Sequence, residues 1–179
     1  MDFVKLTKER FSVRKYESKK VEKEKLDLIL KTAHYAPTAA NFQPVRLLVV
    51  QEEKGLAKMA TAANIFGAPL AIIVCSFPSK AWRRSLDGKV TDDIDASIVT
   101  DHMMLAAQSL GLGSVWICQF KPEILRKEFK IPDELVPVNI LVIGYSREAQ
   151  PKETRHDVQR IPMEELVAHE TFGGRNYLG

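Results

Sequence analysis

Apolar and polar residues follow each other along the chain with periods that predict a mixture of helices and short strands. In 21–36 and 92–110, apolar residues recur every three or four positions, a spacing that places them on one face of a helix. Compact apolar runs elsewhere have the length of strands, and the first of them, 45–50, is expected to be buried. The predicted helices span 21–36, 53–63, 92–110 and 122–129, and the predicted strands span 45–50, 69–75, 114–120 and 136–145.

The helix predicted at 92–110 is the most apolar one and is expected to be central and buried. Its opening acids suit the positive end of a helix dipole, and Gly111 and Gly113 are expected to end it and to turn the chain into the next strand. Helices and strands mix without a regular strand–helix–strand alternation, which indicates an α+β fold with four or five strands. The opening acids are Asp92, Asp93 and Asp95, and the expected core positions are Ile94, Ile98, Met104, Leu105 and Ala106.

Two segments fall outside this regular pattern. Residues 76–91 contain proline, Asp87-Gly88 and scattered charges, so they are predicted to form an excursion or lid. Residues 146–179 are polar, carry few large apolar residues and end in Gly-Gly-Arg-Asn-Tyr-Leu-Gly. A tail of this composition cannot form a core of its own, and it is expected to lie across another surface.

Composition places the chain among ordinary globular proteins. Its 179 residues, 45% of them hydrophobic, predict a single domain spanning 1–179. The longest apolar runs are far shorter than the roughly 18 residues that a membrane helix needs, and the N-terminus has no secretory apolar region. We therefore expect a cytoplasmic protein without a membrane segment.

Charge and cysteine content limit the kinds of ligand and site that the chain is expected to have. The net charge is +3, too small to indicate nucleic-acid binding. Basic residues nevertheless concentrate between Lys5 and Lys23, as either a solvated face or an anion site. Cys75 and Cys118 lie in apolar runs and are expected to be buried structural thiols. The histidines are dispersed, so no metal site is predicted.

Short motifs carry the candidate chemistry. If 10–14 is extended, Arg10, Ser12 and Arg14 share one face and offer the donors that a phosphate prefers, while Phe11 and Val13 turn inward. The other reading is a solvent-facing basic strand.

A loop bounded by Pro37 and Pro44 presents the Thr38 hydroxyl and the amides of Asn41 and Gln43, which suit the edge of a heterocycle. An ordinary polar loop is the alternative reading. The glycines of 109–114 follow a helix and precede a strand, the reverse of a dinucleotide fingerprint, so a Rossmann site is rejected.

Taken in order, these motifs resemble the FMN-dependent nitroreductase family. The resemblance covers roughly 7–170, and each motif alone is weak, whereas their order and spacing together are specific. The matching pieces are Arg10-x-Ser12-x-Arg14, the Ala36-Pro37-Thr38-Ala39-Ala40-Asn41-x-Gln43-Pro44 loop, the run from Asp95 through Leu105-Ala106-Ala107 to Gly111-Leu112-Gly113-Ser114-Val115-Trp116-Ile117, and the strand Ile140–Tyr145.

The resemblance implies a three-layer nitroreductase-like fold with a mostly antiparallel sheet, and a homodimer that holds FMN at the subunit interface. The first motif matches the residues that hold the flavin phosphate, the proline-bounded loop reaches the flavin from the other subunit, and 116–119 lie against the ring. The tail, 146–179, is implied to be a swapped arm whose basic residue closes over the phosphate. The implied FMN-binding residues are Arg10, Phe11, Ser12, Arg14, Pro37, Thr38, Ala39, Asn41, Gln43, Trp116, Ile117, Cys118, Gln119 and Arg155, with Lys152 and Arg160 as alternatives to Arg155.

The implied activity is reduction of a small-molecule electron acceptor, such as a nitroaromatic or a quinone, by NAD(P)H in a ping-pong cycle that needs no catalytic side chain. Two departures, Val45 and Cys118, leave acceptor preference open. Two alternatives also remain: a specialised branch (dehalogenase, heterocycle oxidase or flavin-degrading enzyme) or a non-enzymatic flavin-binding protein. Specificity is expected in the excursion at 76–91, where Trp82, Arg83 and Arg84 are candidates.

Overall fold

The computed structural model describes residues 2–172, and its centre is a four-stranded sheet. The strand order is β1-β2-β4-β3, and every neighbouring pair is antiparallel. The predicted α+β class is therefore confirmed. The elements are α1 (Phe3–Glu9), α2 (Lys23–Tyr35), β1 (Val45–Val50), α3 (Glu53–Ala62), β2 (Leu70–Ser76), α4 (Asp92–Ser109), β3 (Gly113–Ile117), α5 (Pro122–Phe129), β4 (Val136–Gly144), α6 (Arg155–Gln159) and α7 (Met163–Leu166).

Helices cover both faces of the sheet. Successive residues of a strand point to opposite faces, so Ile72 packs on one side with α2 and α4, whereas Ile73 packs on the other side with α3 and α5. The strands β2 and β4 lie in the middle and are buried almost throughout, as their continuous apolar sequences require. The result is the three-layer arrangement that the resemblance implied.

The predicted strand at 45–50 is confirmed as β1, but the prediction that it is buried is wrong. β1 is an edge strand in which half-buried and exposed residues alternate, with Leu48 exposed, and only Val50 is buried. Its sequence is nearly all apolar, so periodicity could not reveal that one edge has no neighbouring strand within residues 2–172.

α4 begins where the sequence predicted and ends one residue earlier, at Ser109, yet it buries different residues. The expected core residue Ile94 is 46% exposed, while Asp95 is 1% exposed. The helix dipole does not account for all three opening acids, because the residue Asp95 is buried inside the protein. The residues that α4 buries are Asp95, Ala96, Val99, Thr100, Met103 and Ala107.

The N-terminal helix α1 was not predicted. The Asp2 carboxylate accepts a hydrogen bond from the backbone N–H of Val4 at 2.9 Å, which caps the helix start. Lys5 and Lys8 are thus helical, and the basic run from Lys5 to Lys23 is divided between a helix and an extended segment. None of the helices among residues 2–172 is both long and apolar enough to cross a membrane.

The chain divides into two compact units, 1–149 and 150–179. The second unit contains α6 and α7, and none of its residues up to Phe172 is buried. Its apolar side chains Val158, Met163 and Leu166 are at least 60% exposed. A segment with this pattern lacks a core of its own, as its composition predicted. The final Gly-Gly-Arg-Asn-Tyr-Leu-Gly sequence lies outside the described residues.

Candidate functional site

The segment that carries the first motif is extended and is held by backbone hydrogen bonds. Ser12 pairs with Ser114 of β3 in a parallel bridge, and the Val13 N–H donates to the Ser114 carbonyl at 3.0 Å. Further along, Tyr16 pairs with Ser146, and the Arg147 N–H donates to the Lys15 carbonyl at 2.9 Å. The segment therefore lies between the edge of the sheet and the chain that leaves β4.

Gly113 allows this segment to approach the sheet closely. A Cβ at this position would lie 2.5 Å from Cγ2 of Val13, which is fully buried. The sequence led us to expect that Gly111 and Gly113 both turn the chain. Only Gly111 has that role, with φ of +74°, whereas Gly113 provides the space into which Val13 packs.

The side chains of the motif divide as the extended geometry predicted. Val13 is buried and Phe11 packs against the hydrophobic cluster of α3 and α5, while Arg14 is exposed. The backbone N–H of Arg14 donates to Oε2 of Glu148 at 2.8 Å, and its guanidinium donates to the Ser12 carbonyl at 3.3 Å.

A cavity of about 300 Å³ opens beside this segment. It brings Arg14 together with the end of β3, including Trp116 and the exposed residues Cys118 and Gln119. The lining combines a guanidinium, amides and aromatic rings. The complete lining is Arg14, Asn64, Phe66, Val115, Trp116, Ile117, Cys118 and Gln119.

Asn64 and Phe66 were not predicted as site residues. They belong to a turn in which Asn64 Oδ1 accepts from the Phe66 N–H at 2.9 Å and both Phe66 and Gly67 have positive φ. The Lys121 N–H donates to the Ala62 carbonyl at 2.9 Å and so fixes the chain before this turn beside the segment that follows β3. The sequence signal for the turn was Asn64 followed by Gly67.

The prediction of two buried thiols holds for Cys75 and is wrong for Cys118. Cys75 lies in β2, where burial raises the pKa of its thiol to about 11. Cys118 follows the last residue of β3 and is exposed at the cavity. The apolar run that suggested burial ends at Ile117.

The loop between Pro37 and Pro44 has an unusual backbone. Ala40, Asn41 and Gln43 all have φ between +50° and +57°, a conformation that costs of order 1 kcal/mol for a residue with a side chain. Hydrogen bonds within the loop compensate: the Asn41 N–H donates to the Thr38 carbonyl at 2.9 Å, and the Gln43 N–H donates to Thr38 Oγ1 at 3.0 Å.

The amide side chains of this loop are partly engaged with each other. Gln43 Nε2 donates to Asn41 Oδ1 at 3.0 Å, which leaves Asn41 Nδ2 and Gln43 Oε1 without a hydrogen bond among residues 2–172. Thr38 and Gln43 line a separate cavity of about 280 Å³ beside α2 and β1. The loop is thus on a different surface of the chain from the cavity beside Arg14.

The excursion at 76–91 contains a short helical turn, Pro78–Lys80, and an isolated bridge between Arg83 and Val90. Arg84 donates to both carboxylate oxygens of Asp87, at 2.7 and 2.6 Å, and Arg83 donates to the Gly88 carbonyl. The charge of Arg84 is therefore already paired within the excursion. Arg155, the predicted arm contact, is the first residue of α6, and its N–H donates to the Lys152 carbonyl.

The chain has an antiparallel sheet between two pairs of helices, and a cavity lies where an extended segment meets the edge strand β3. This architecture places it in a known class of α+β proteins. The nitroreductase family model matches residues 7–65 and 57–145. The chain therefore belongs to the nitroreductase family.

Individual relatives agree with this assignment. A nitroreductase family protein of Clostridium difficile 630, solved by crystallography, is 53% identical with a TM-score of 0.93, over 96% of this chain and 99% of that one. A protein of Methanothermobacter thermautotrophicus, provisionally named NADH dehydrogenase/NAD(P)H nitroreductase, is 33% identical over 92% of this chain and 87% of its own. An FMN reductase [NAD(P)H] of Bacillus subtilis is 27% identical over 90% of this chain and 70% of its own.

Proposed function

We propose that this chain is an FMN-dependent oxidoreductase that uses NAD(P)H to reduce electron-poor acceptors such as nitroaromatics and quinones in a ping-pong cycle. The observation that carries the proposal is the cavity beside the extended segment. It brings together, in one chain, Arg14 from the first motif and residues 115–119 from the run that follows Gly113. These motifs are about a hundred residues apart in the sequence.

The lining of the cavity fits a flavin. The aromatic rings of Phe66 and Trp116 provide apolar surface for a planar ring, while Arg14 and Asn64 offer donors. Arg10, Ser12 and Arg14 would hold the phosphate, because guanidinium groups match phosphate oxygens. Phe11 and the segment 116–119 complete the part of the site that one subunit supplies.

Bound FMN supplies hydride acceptance and donation, so the protein itself has to bind, orient and shield the reactants. The described residues that line the cavity include no histidine and no carboxylate, the side chains that most often serve as general acids or bases. The chain therefore needs no general acid or base. The names of the Methanothermobacter and Bacillus relatives support NAD(P)H as the reductant, and the Bacillus name also supports FMN.

We infer that the active form is a homodimer in which the loop between Pro37 and Pro44 reaches the partner's flavin. Large apolar side chains are exposed on this loop and on β1, α2 and α4, which supports a protein contact there. They are Leu28, Tyr35, Phe42, Leu48 and Ile94, each 37–62% exposed. The exposed apolar residues Val158, Met163 and Leu166 support a role for 146–179 as an arm that packs on the partner, with Arg155 at the phosphate.

The flavin proposal is tested by the absorption spectrum of the purified protein, repeated anaerobically after adding NADH and then NADPH. A flavin spectrum that bleaches is the expected result, and the faster donor gives the cofactor preference. A flavin spectrum that stays oxidised with both donors contradicts the reductase activity and favours a flavin-binding protein. A colourless protein that does not take up added FMN contradicts the whole proposal.

The arm is tested by truncation before Arg155, with light scattering to measure mass and absorbance to measure flavin. Loss of both the dimer and the FMN is expected. A yellow dimer after truncation contradicts the role of the arm and leaves the flavin proposal intact.

A further inference from the structure

Asp95 is a carboxylate that the proposed chemistry does not use, although it lies inside the protein. It is in the first turn of α4, and its residue is 1% exposed. Burial of a carboxylate is unfavourable unless hydrogen bonds replace water. A favourable interaction with the helix dipole does not require burial, because the exposed carboxylate of Asp93 lies in the same first turn of α4.

The partners of Asp95 belong to two segments that the sequence connects with the active site. Its Oδ1 accepts from the backbone N–H of Ala39 at 2.9 Å. Its Oδ2 lies 3.5 Å from Thr91 Oγ1. Thr91 ends the excursion, and its N–H donates to the Trp82 carbonyl at 3.1 Å. One buried side chain thus contacts both the loop and the last residue of the excursion.

Ala39 lies immediately before the strained part of the loop. It starts a short helical turn, Ala39–Asn41, and the left-handed residues Ala40, Asn41 and Gln43 follow. The far end of the loop is fixed by the Phe77 N–H, which donates to the Pro44 carbonyl at 2.7 Å. Asp95 therefore fixes the near end, and the strained residues lie between two anchors.

We propose that Asp95 is a positioning residue that holds the loop between Pro37 and Pro44 in its flavin-contacting conformation. The hydrogen bond to Ala39 offsets the backbone strain, so that the loop is ordered before a flavin arrives. Without the bond, the left-handed residues relax toward ordinary conformations, and flavin affinity falls in proportion to the remaining population of the ordered loop. The role at the flavin rests on the proposed function, whereas the ordering of the loop does not.

Two substitutions remove the bond from opposite sides. Asp95→Ala deletes the acceptor. Ala39→Pro deletes the N–H donor and keeps the carboxylate; proline suits the first position of a helical turn, and the extended conformation of Thr38 (ψ 157°) suits a residue before proline. Asp95→Asn keeps an acceptor oxygen of nearly the same shape. Asp93→Asn is the matched control, because it removes an exposed charge from the same helix turn.

Loop order is measured in flavin-free protein by hydrogen exchange of the amides at 38–43. Asp95→Ala is expected to raise exchange rates of the loop at least about ten-fold, the effect of losing one hydrogen bond to a charged group. Asp95→Asn should have a smaller effect, Ala39→Pro should deprotect the Asn41 and Phe42 amides, and Asp93→Asn should leave the rates unchanged. Unchanged rates in both Asp95→Ala and Ala39→Pro overturn the proposal. If Asp95→Ala does not fold, the same criterion applies to Asp95→Asn and Ala39→Pro.

The link to the flavin is measured by FMN titration of the same proteins, followed by fluorescence quenching. The dissociation constant should rise about ten-fold in Asp95→Ala and in Ala39→Pro, with no additional rise in the double variant, because both remove one bond. Additive effects, or full affinity in both single variants, contradict the positioning role. Wild-type protein that binds no FMN contradicts the proposed function instead, and the exchange measurement still tests the loop.

Discussion

The extended segment at 10–14 and the loop at 37–44 present polar groups to a ligand in opposite ways. The segment pairs with β3 and with the chain after β4 through backbone hydrogen bonds, and Val13 fixes it to the core. The loop has three left-handed residues, hydrogen bonds mainly within itself, and one buried carboxylate that holds its start.

The difference shows how each region is kept in shape. A segment added to the edge of a sheet gains its order from the sheet, and it can vary its side chains freely on the solvent side. A strained loop on a surface needs a specific anchor, so its order depends on single side chains. The conformation of the segment is therefore expected to tolerate polar substitutions, and the conformation of the loop is expected to be sensitive to them.

The largest effect is expected where the segment touches the sheet. Gly113→Ala places a Cβ 2.5 Å from Val13 Cγ2, so either the segment or β3 has to move. Overpacking of this kind should cost about 3 kcal/mol of unfolding free energy, and displacement of Arg14 should also reduce FMN binding. Urea denaturation and flavin content of the purified variant measure both quantities.

Gly111→Ala is the control for that substitution. A Cβ there meets nothing within 4 Å, although φ is +74°, so a cost of about 1 kcal/mol from the left-handed backbone is expected, with FMN affinity unchanged. Equal stability losses in the two alanine variants contradict the close-packing role of Gly113.

Next in size is the contribution of the exposed guanidinium in the cavity. Arg14→Ala should weaken FMN binding by about 1.5 to 3 kcal/mol, the value of a charge-assisted hydrogen bond, and should leave unfolding free energy nearly unchanged. Lys15→Ala, one residue away and also exposed, is the control for general charge. Flavin content that is the same in both variants and in wild type removes Arg14 from the site.

A smaller effect is expected from strain in the loop. Ala40→Val puts a β-branched residue at φ of +50°, which should cost about 1 to 2 kcal/mol of stability, while Ala40→Gly should bind FMN as wild type does. Calorimetry of both variants measures the difference. A valine variant as stable as the glycine variant shows that the loop is not held in the left-handed conformation.

The smallest effect is expected on the pH dependence of stability. It arises from the Glu22 carboxylate at the start of α2, which accepts a hydrogen bond from Tyr145, the residue after β4. Hydrogen bonding from Tyr145, at 2.7 Å, lowers the pKa of Glu22 to about 2 from an ordinary value of 4.5. Because the folded-state pKa is depressed, the contribution to stability is complete above pH 4.5 and is lost as the pH falls toward 2. Glu22→Gln should flatten that part of the pH profile of stability, and an unaltered profile contradicts the assignment.

The sequence was sufficient for the family and for the four strands and the four helices that pack on the sheet, because periodicity and turn residues act locally, whereas the shorter helices α1, α6 and α7 were missed. α5 was predicted with its observed bounds, and α4 differs by one residue. Burial was predicted less well. Ile94 is exposed and Asp95 is buried because α4 contacts the loop through Ala39, which lies 56 residues before Asp95. A local sequence pattern cannot reveal a contact between residues so far apart in the chain.

The sequence predicted those residues of the candidate site that belong to motifs. It missed the residues that a turn brings to the cavity. Arg14 and 116–119 meet at one cavity as expected, but Asn64 and Phe66 come from a turn whose role depends on the Lys121 to Ala62 hydrogen bond. The exposure of Cys118 also depends on where β3 ends. The assignments of Arg155 and of the loop to a partner's flavin stay predictions, since they concern a second subunit.

A heterodimer of two differently damaged subunits tests most directly whether the two halves of each site come from different chains. Arg14→Ala subunits and Asp95→Ala subunits are co-expressed with distinct affinity tags, the mixed dimer is isolated, and bound FMN is titrated. If the sites are shared, one of the two sites regains wild-type affinity, because it combines the intact segment of one subunit with the intact loop of the other. If both sites stay as weak as in the two variant homodimers, the segment and the loop serve the same chain, and the site is not shared between subunits.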